Sequence, residues 1–337
     1  MLHFPKTNML HEADAAAEQK YLRTGKTPPH PAVEVLLFLL VFLAATMIQS
    51  IIITPFQLVA MMTGDTFKNI LLYPPTSYQE TMEMVTALLS SFPDWFMVVQ
   101  LLATSGTIAA CFVYCRAFEK RSWVSLGFTK KGAVAEYAAG LGIGLALFGS
   151  AVAICVGTGH LTLSINSAPA IGMIFLYFLG YMIQGMSEEI LCRGYLMVSM
   201  QRGCPLWVAV LTNALIFTVL HLGNPGVTPL ALLNLTLFGI FASLYTLRRG
   251  SLWGIGAIHT IWNFAQGNIF GISVSGLSGS PSVLTATASE GGALIHGGSF
   301  GMEGGLGVTI VLVIGCAVML VMKTKKSEIS SLEPPKQ

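Results

Sequence analysis

The sequence predicts an all-α, polytopic membrane protein of about eight transmembrane helices. Its 337 residues are 53% hydrophobic and only 10% charged, whereas a soluble globular chain carries about 25% charged residues. The mean hydropathy is +0.69. This composition excludes a disordered chain and a basic nucleic-acid-binding domain. The lipid bilayer is therefore the expected partner, and no nucleic acid is expected.

Apolar runs of spanning length give the helix count, because a helix needs roughly 20 residues to cross the hydrocarbon of a bilayer. They define one transmembrane domain at 33–322, preceded by a polar tail at 1–32 and followed by a basic tail at 323–337. The predicted spans are 33–62, 96–115, 134–157, 169–187, 205–222, 230–247, 251–270 and 304–322.

The lysines and arginines predict how these spans are oriented. If the N-terminus is cytoplasmic, every Lys and Arg except Lys68 falls in a cytoplasmic segment or tail. Positive residues are enriched in cytoplasmic loops. We therefore expect a multi-pass protein of the cell membrane with both termini in the cytoplasm.

Four further features complete the predicted architecture. Residues 63–95 contain two proline turns and are expected to form an interfacial cap, and the Gly- and Ser-rich segment 271–303 is expected to be an irregular loop. Gly140 and Gly144 form a GxxxG pair, which favours close helix packing. The six cysteines form no CxxC pair and are interpreted as small hydrophobic residues.

The densest group of charges in an apolar context ends the fourth predicted span. Glu189 and Arg193 are four residues apart and can pair on one helix face. Glu188 points about 100° away from that face and is left to line a cavity. The alternative is a charged cluster that only caps the helix at the membrane surface.

Polar side chains on two other predicted spans favour the interpretation that Glu188 lines a cavity. His259 and Asn263 share one face of the seventh span, and His221 ends the apolar part of the fifth. Glu188 and His221 are equidistant from the turn near Cys204, so an antiparallel hairpin brings them to the same height. We therefore expect a polar catalytic cavity between the fourth, fifth and seventh helices. Carboxylate, imidazole and amide groups together are typical of a hydrolytic site.

These residues form three motifs in order: EExxxR at Glu188, Glu189 and Arg193, FxxxH at Phe217 and His221, and HxxxN at His259 and Asn263. They resemble the motifs of the CAAX-protease and bacteriocin-processing (CPBP, or Abi) family of intramembrane endopeptidases over about residues 171–270. Further segments, such as 298–305, look like those of bacterial members, which implies a bacterial plasma membrane.

The resemblance implies an endopeptidase that hydrolyses membrane-associated proteins or peptides. Glu188 would be the general base that activates water, with Glu189 and Arg193 supporting it. His221 would orient the water or stabilise the intermediate, and His259 and Asn263 would complete the oxyanion site. Prenyl specificity is not carried over to this chain.

Three alternatives remain open from the sequence. Zinc is one, since Glu188, His221 and His259 could supply the three ligands of a catalytic site. The chain has no HExxH motif and Asn263 suits an oxyanion better, so a mechanism without a cofactor is favoured. The others are a catalytically silent scaffold or immunity factor and a cation transporter that uses the same polar residues.

Overall fold

The computed structural model describes residues 7–25, 27 and 29–323, and the predicted basic tail lies outside them except for Lys323. This part of the chain is mainly helical. Its α-helices are α1 (Asn8–Thr24), α2 (Pro31–Thr63), α3 (Asp65–Leu72), α4 (Tyr78–Ser90), α5 (Asp94–Ala103), α6 (Ser105–Ala117), α7 (Ala133–Gly157), α8 (Ile171–Glu189), α9 (Val198–Met200), α10 (Leu206–Val219), α11 (Pro229–Arg249), α12 (Trp253–Phe264), α13 (Ala293–His296) and α14 (Leu306–Val321). π-helical segments, with wider turns than an α-helix, continue α8 through Ile190–Met197 and α12 through Ala265–Ile269.

Four helical segments of the described residues are long and apolar enough to cross a membrane. They are α2, the α5–α6 pair, α7 and α11. α10 and α14 are apolar but shorter, and α8 and α12 cover the other two predicted spans. Every predicted run thus contains a helix, which agrees with an all-α membrane protein. The number of eight spans and their orientation stay predictions.

The predicted GxxxG contact joins α7 to α12. A Cβ atom on Gly140 would clash with the carbonyl oxygen of Gly254, and one on Gly144 would lie 2.8 Å from the carbonyl oxygen of Ile258. Larger residues at these positions would force the helices apart. The pair therefore has the packing role that the sequence predicted, and it sets the position of α12.

The prediction of a wholly irregular loop at 271–303 is wrong. Residues Leu284–Ala288 form strand β2, which pairs antiparallel with β1 (Leu161–Ile165), Leu161 lying opposite Ala288. The same segment contains α13 and two short 3₁₀ turns. The strand pairing joins residues more than a hundred positions apart, so no local sequence pattern predicts it.

Segments at the ends of the spans are also more regular than the sequence suggested. Segment 63–95 forms α3 and α4, with the predicted turn around Pro74 between them. The described part of the 1–32 tail forms α1. Met9, Ala13 and Ala17 repeat every four residues on one face of α1, and all three are buried.

A network of buried charges, which we call the Arg121 network, consists of Glu119, Arg121, Ser199 and Arg202. The guanidinium of Arg121 is fully buried and donates to Glu119 at 3.3 Å and to the hydroxyl of Ser199 at 3.2 Å. Arg202 donates to the other oxygen of Glu119 at 2.8 Å. Arg121 also donates to the carbonyl oxygen of Gly194. The network therefore ties the α6–α7 connection to the chain that follows α8.

Candidate active site

A cavity of about 310 Å³ lies among the helices, and four of the predicted site residues line it. Its walls come from α2, α5, α6, α8, α10, α11, α12 and α14, a wider set than the three predicted helices. The four residues are Glu188, His221, His259 and Asn263. The antiparallel arrangement expected for Glu188 and His221 thus does bring them to one place.

The two adjacent glutamates at the end of α8 have different surroundings. Glu189 is fully buried, whereas the side chain of Glu188 is 28% exposed and lines the cavity. Successive side chains of a helix diverge by about 100°, so one carboxylate faces the cavity while the next faces the protein. This is the division that the EExxxR spacing predicted.

Glu189 holds two other motif residues in place. Its Oε1 accepts a hydrogen bond from Arg193 at 3.1 Å and from Nδ1 of His259 at 2.8 Å. Because an ionised carboxylate can only accept, Nδ1 of His259 carries the hydrogen in this pair. The other ring nitrogen, Nε2, is thereby directed away from Glu189.

Nε2 of His259 faces the cavity glutamate. It lies 3.6 Å from Oε2 of Glu188, an oxygen that has no hydrogen-bond partner among the described residues. Oε1 of Glu188 is occupied, because Nε2 of Gln184 donates to it at 2.5 Å. One oxygen of Glu188 is therefore fixed, and the other is left free beside an imidazole.

Gln184 is a site residue that the sequence analysis missed. It lies one turn before Glu188 on α8, and its side-chain oxygen accepts from Nδ2 of Asn263 at 3.0 Å. It therefore connects the amide of the HxxxN motif to the glutamate of the EExxxR motif. The four-residue spacing between Gln184 and Glu188 was the signal in the sequence.

Phe217 contacts predicted site residues from all three motifs, and not only His221 of its own motif. Its carbonyl oxygen accepts from Nδ1 of His221 at 2.8 Å, which leaves Nε2 of His221 as an acceptor. Its ring lies 4.7 Å from the ring of His221 and 6.2 Å from that of His259. The guanidinium of Arg193 sits 4.7 Å over the ring centre. Phe217 thus lies between the two histidines and the buried arginine.

Close packing of α8 on α12 makes this arrangement compact. A Cβ atom on Gly185 would lie 2.9 Å from the backbone nitrogen of Thr260, so the backbones nearly touch there. Gly185 is three residues before Glu188, and Thr260 follows His259 directly. The glycine therefore allows the 2.8 Å contact between Glu189 and His259.

The zinc alternative does not fit this geometry. Among residues 7–25, 27 and 29–323, no three His, Cys, Asp or Glu side chains are grouped so that they could hold a metal ion. Glu188, His221 and His259 line one cavity without forming a three-ligand set. The chemistry below is therefore derived from these side chains without a metal.

Residues 169–265 match the family model described as "Type II CAAX prenyl endopeptidase Rce1-like". The match confirms the resemblance drawn from the three motifs, and it supports a membrane protein of a protease family. It covers less than a third of the chain and contains all six predicted site residues. Comparisons with curated proteins and with solved structures give no match.

Proposed function

We propose that this protein is an intramembrane endopeptidase that hydrolyses membrane-associated proteins or peptides with water activated by Glu188. The observation that carries the proposal is the position of Glu188. Its side chain lines the cavity, and its Oε2 has no hydrogen-bond partner among the described residues and lies 3.6 Å from Nε2 of His259. The proposal does not extend to substrates that carry a prenyl group.

Glu188 is placed to act as the general base. A water molecule bound at Oε2 gives up a proton to the carboxylate as its oxygen attacks the carbonyl carbon of the scissile peptide bond. The protonated Glu188 then gives that proton to the leaving amine. The bond from Gln184 holds the carboxylate in one orientation throughout.

Three further residues are proposed to stabilise the oxyanion or to orient the attacking water, namely His259, Asn263 and His221. Asn263 uses one amide hydrogen on Gln184 and keeps a second for the oxyanion of the tetrahedral intermediate. His259, held by Glu189, is the second oxyanion group when its Nε2 is protonated. Nε2 of His221 accepts a hydrogen bond from the attacking water and so orients it.

Glu189 and Arg193 are proposed as positioning residues. Their ion pair is fully buried, and Glu189 uses the same oxygen to hold His259. A carboxylate bonded to one ring nitrogen fixes the orientation of the other, as in many hydrolases. Loss of either charge would leave the remaining one buried without a partner, which is costly.

The lining of the cavity supports substrates that enter from the membrane. Apolar side chains of Phe217, Phe238 and Trp262 lie beside the polar groups. Helices α2, α7 and α11, which are apolar enough to span a bilayer, surround or support the site.

The test is hydrolysis of a quenched-peptide library by the purified protein in lipid vesicles. Wild-type protein should cleave, and Glu188→Gln should lower the rate by about 10²–10⁴-fold, since an amide cannot accept the proton. Glu290→Gln is the matched control, because Glu290 is an exposed carboxylate. Folded wild-type protein that cleaves nothing, or Glu188→Gln that cleaves normally, would reject the proposal.

A further inference from the structure

A second carboxylate, Glu303, lines the same cavity and has no part in the proposed hydrolysis. It is only 8% exposed. Glu188 and Glu303 are the acidic residues of the cavity lining, and among the described residues that line it there is no Lys or Arg. Apart from the two histidines, the described part of the cavity wall therefore supplies no cationic side chain to pair with Glu303.

Glu303 is held firmly from two sides. Its Oε2 accepts from the backbone nitrogen of Ser275 at 2.9 Å and from the hydroxyl of Ser275 at 2.7 Å. The side chain of Asn234 on α11 donates to the backbone oxygens of Glu303 and Gly305 at 2.8 and 3.0 Å. The carboxylate is thus placed by both a loop and a helix.

The loop that carries Ser275 has an unfavourable backbone conformation. Ser275 has a φ of 47°, in the left-handed region that residues other than glycine rarely adopt. Its carbonyl oxygen accepts from the side chain of Asn224 at 3.0 Å. Such strain persists only where the surroundings enforce it, and it is common at binding sites. Here it directs both donors of Ser275 at Glu303.

The other oxygen of Glu303 is not used by the protein. Oε1 accepts no hydrogen bond from the described residues. A buried carboxylate without a paired cation is unfavourable. A cationic group supplied by the substrate would remove that penalty.

Glu303 shares the cavity with the proposed general base. Both Glu188 and Glu303 line it, although they are more than a hundred residues apart in the chain. A peptide whose scissile bond lies at Glu188 can therefore also present a side chain to Glu303.

We propose that Glu303 determines specificity by binding a Lys or Arg side chain of the substrate away from the scissile bond. This inference rests on the proposed peptidase function. Glu303 contacts the substrate away from the reacting atoms, and Ser275 and Asn234 position its carboxylate.

The test uses short N-acylated peptides in lipid vesicles, with each position fixed in turn as Lys, Arg, norleucine or Glu. Norleucine keeps the length of the lysine chain without its charge. Wild-type protein should cleave peptides with Lys or Arg at one position at least about tenfold faster than those with norleucine. Glu303→Gln should lower that ratio to about one, and the control Glu290→Gln should keep it.

A binding measurement separates this inference from the proposed function. The same peptides are captured on immobilised Glu188→Gln protein and on the Glu188→Gln/Glu303→Gln double variant, and the bound peptides are quantified by mass spectrometry. Enrichment of cationic peptides that requires Glu303 supports the site even if wild-type protein hydrolyses nothing.

Three results would overturn the inference. The first is the absence of any preference for cations both in hydrolysis by wild-type protein and in capture on Glu188→Gln protein. The second is a preference that survives in folded Glu303→Gln, and the third is a preference that Glu290→Gln also loses. The first does not need Glu303→Gln, so the test stands even if that variant fails to fold.

Discussion

The Arg121 network and the candidate active site both bury charged side chains, but the two groups of residues have different surroundings. Arg121 is fully buried, and its guanidinium donates to the backbone oxygen of Ser125 and to the hydroxyl of Ser199. Glu188 accepts from Gln184 through one oxygen, its other oxygen has no hydrogen-bond partner among the described residues, and its side chain lines a cavity. Buried charge alone therefore does not identify a catalytic group. The distinguishing feature is a polar atom left free at the wall of a cavity.

From this comparison we expect Arg121 to stabilise the fold and Glu188 to act in hydrolysis. Arg121→Met leaves Glu119 without one of its two cationic partners and removes bonds to the chain after α8. Breaking a buried pair on one side costs about 3–5 kcal/mol. We expect the free energy of unfolding in detergent to fall by about that amount, with hydrolysis falling only as the folded fraction falls.

Arg116→Met is the control for this experiment, because Arg116 is an exposed arginine near the end of α6, just before the connection that contains Arg121. It should leave the free energy of unfolding nearly unchanged. If Arg121→Met unfolds like wild type and yet loses hydrolysis, the network belongs to the catalytic machinery and the comparison fails.

Acid should weaken the Arg121 network in a predictable direction. Burial raises the pKa of Glu119, but Arg121 and Arg202 together lower it more, so the pKa lies below its usual value of 4.5. A lowered pKa in the folded state means that ionised Glu119 stabilises the fold above about pH 4.5 and that this contribution is lost as the pH falls through the folded pKa.

The measurement is the difference in unfolding free energy between wild type and Glu119→Gln, followed from about pH 7 to about pH 3. We expect wild type to be more stable at neutral pH and its advantage to shrink below about pH 4.5. An advantage that stays constant or grows on acidification would show that Glu119 is not stabilised as an ion.

Removal of metal ions should have the smallest effect. The donor geometry of the cavity gives no three-ligand group among the described residues, so hydrolysis should be unchanged after exhaustive chelation. Loss of activity on chelation, with recovery when zinc is added, would instead place a metal among Glu188, His221 and His259.

The three motifs of the candidate site could be found from the sequence because helical spacing is local. The four-residue intervals of Glu189 with Arg193 and of His259 with Asn263 fix which side chains share a face. The GxxxG pair at Gly140 was predictable for the same reason. The length and apolarity of the runs also gave the helical membrane class.

Contacts between distant segments could not be predicted in this way. Glu303 reaches the cavity through bonds to Ser275 and Asn234, and neither spacing follows a helical period. The Arg121 network joins residues more than seventy positions apart. Gln184 differs from these residues, because its four-residue spacing to Glu188 is local. An uncharged amide inside an apolar run is not by itself evidence of a site, so the spacing alone did not identify it.

The central claim is that Glu188 activates water while its neighbour Glu189 holds Arg193 and His259 in place. The most direct test measures hydrolysis and thermal unfolding of Glu188→Gln and Glu189→Gln in the same preparation. We expect Glu188→Gln to lose hydrolysis and to melt like wild type. Glu189→Gln should lower stability by about 1–3 kcal/mol, because the buried Arg193 loses its charged partner. Equal melting curves for the two variants, or hydrolysis retained by Glu188→Gln, would contradict the account.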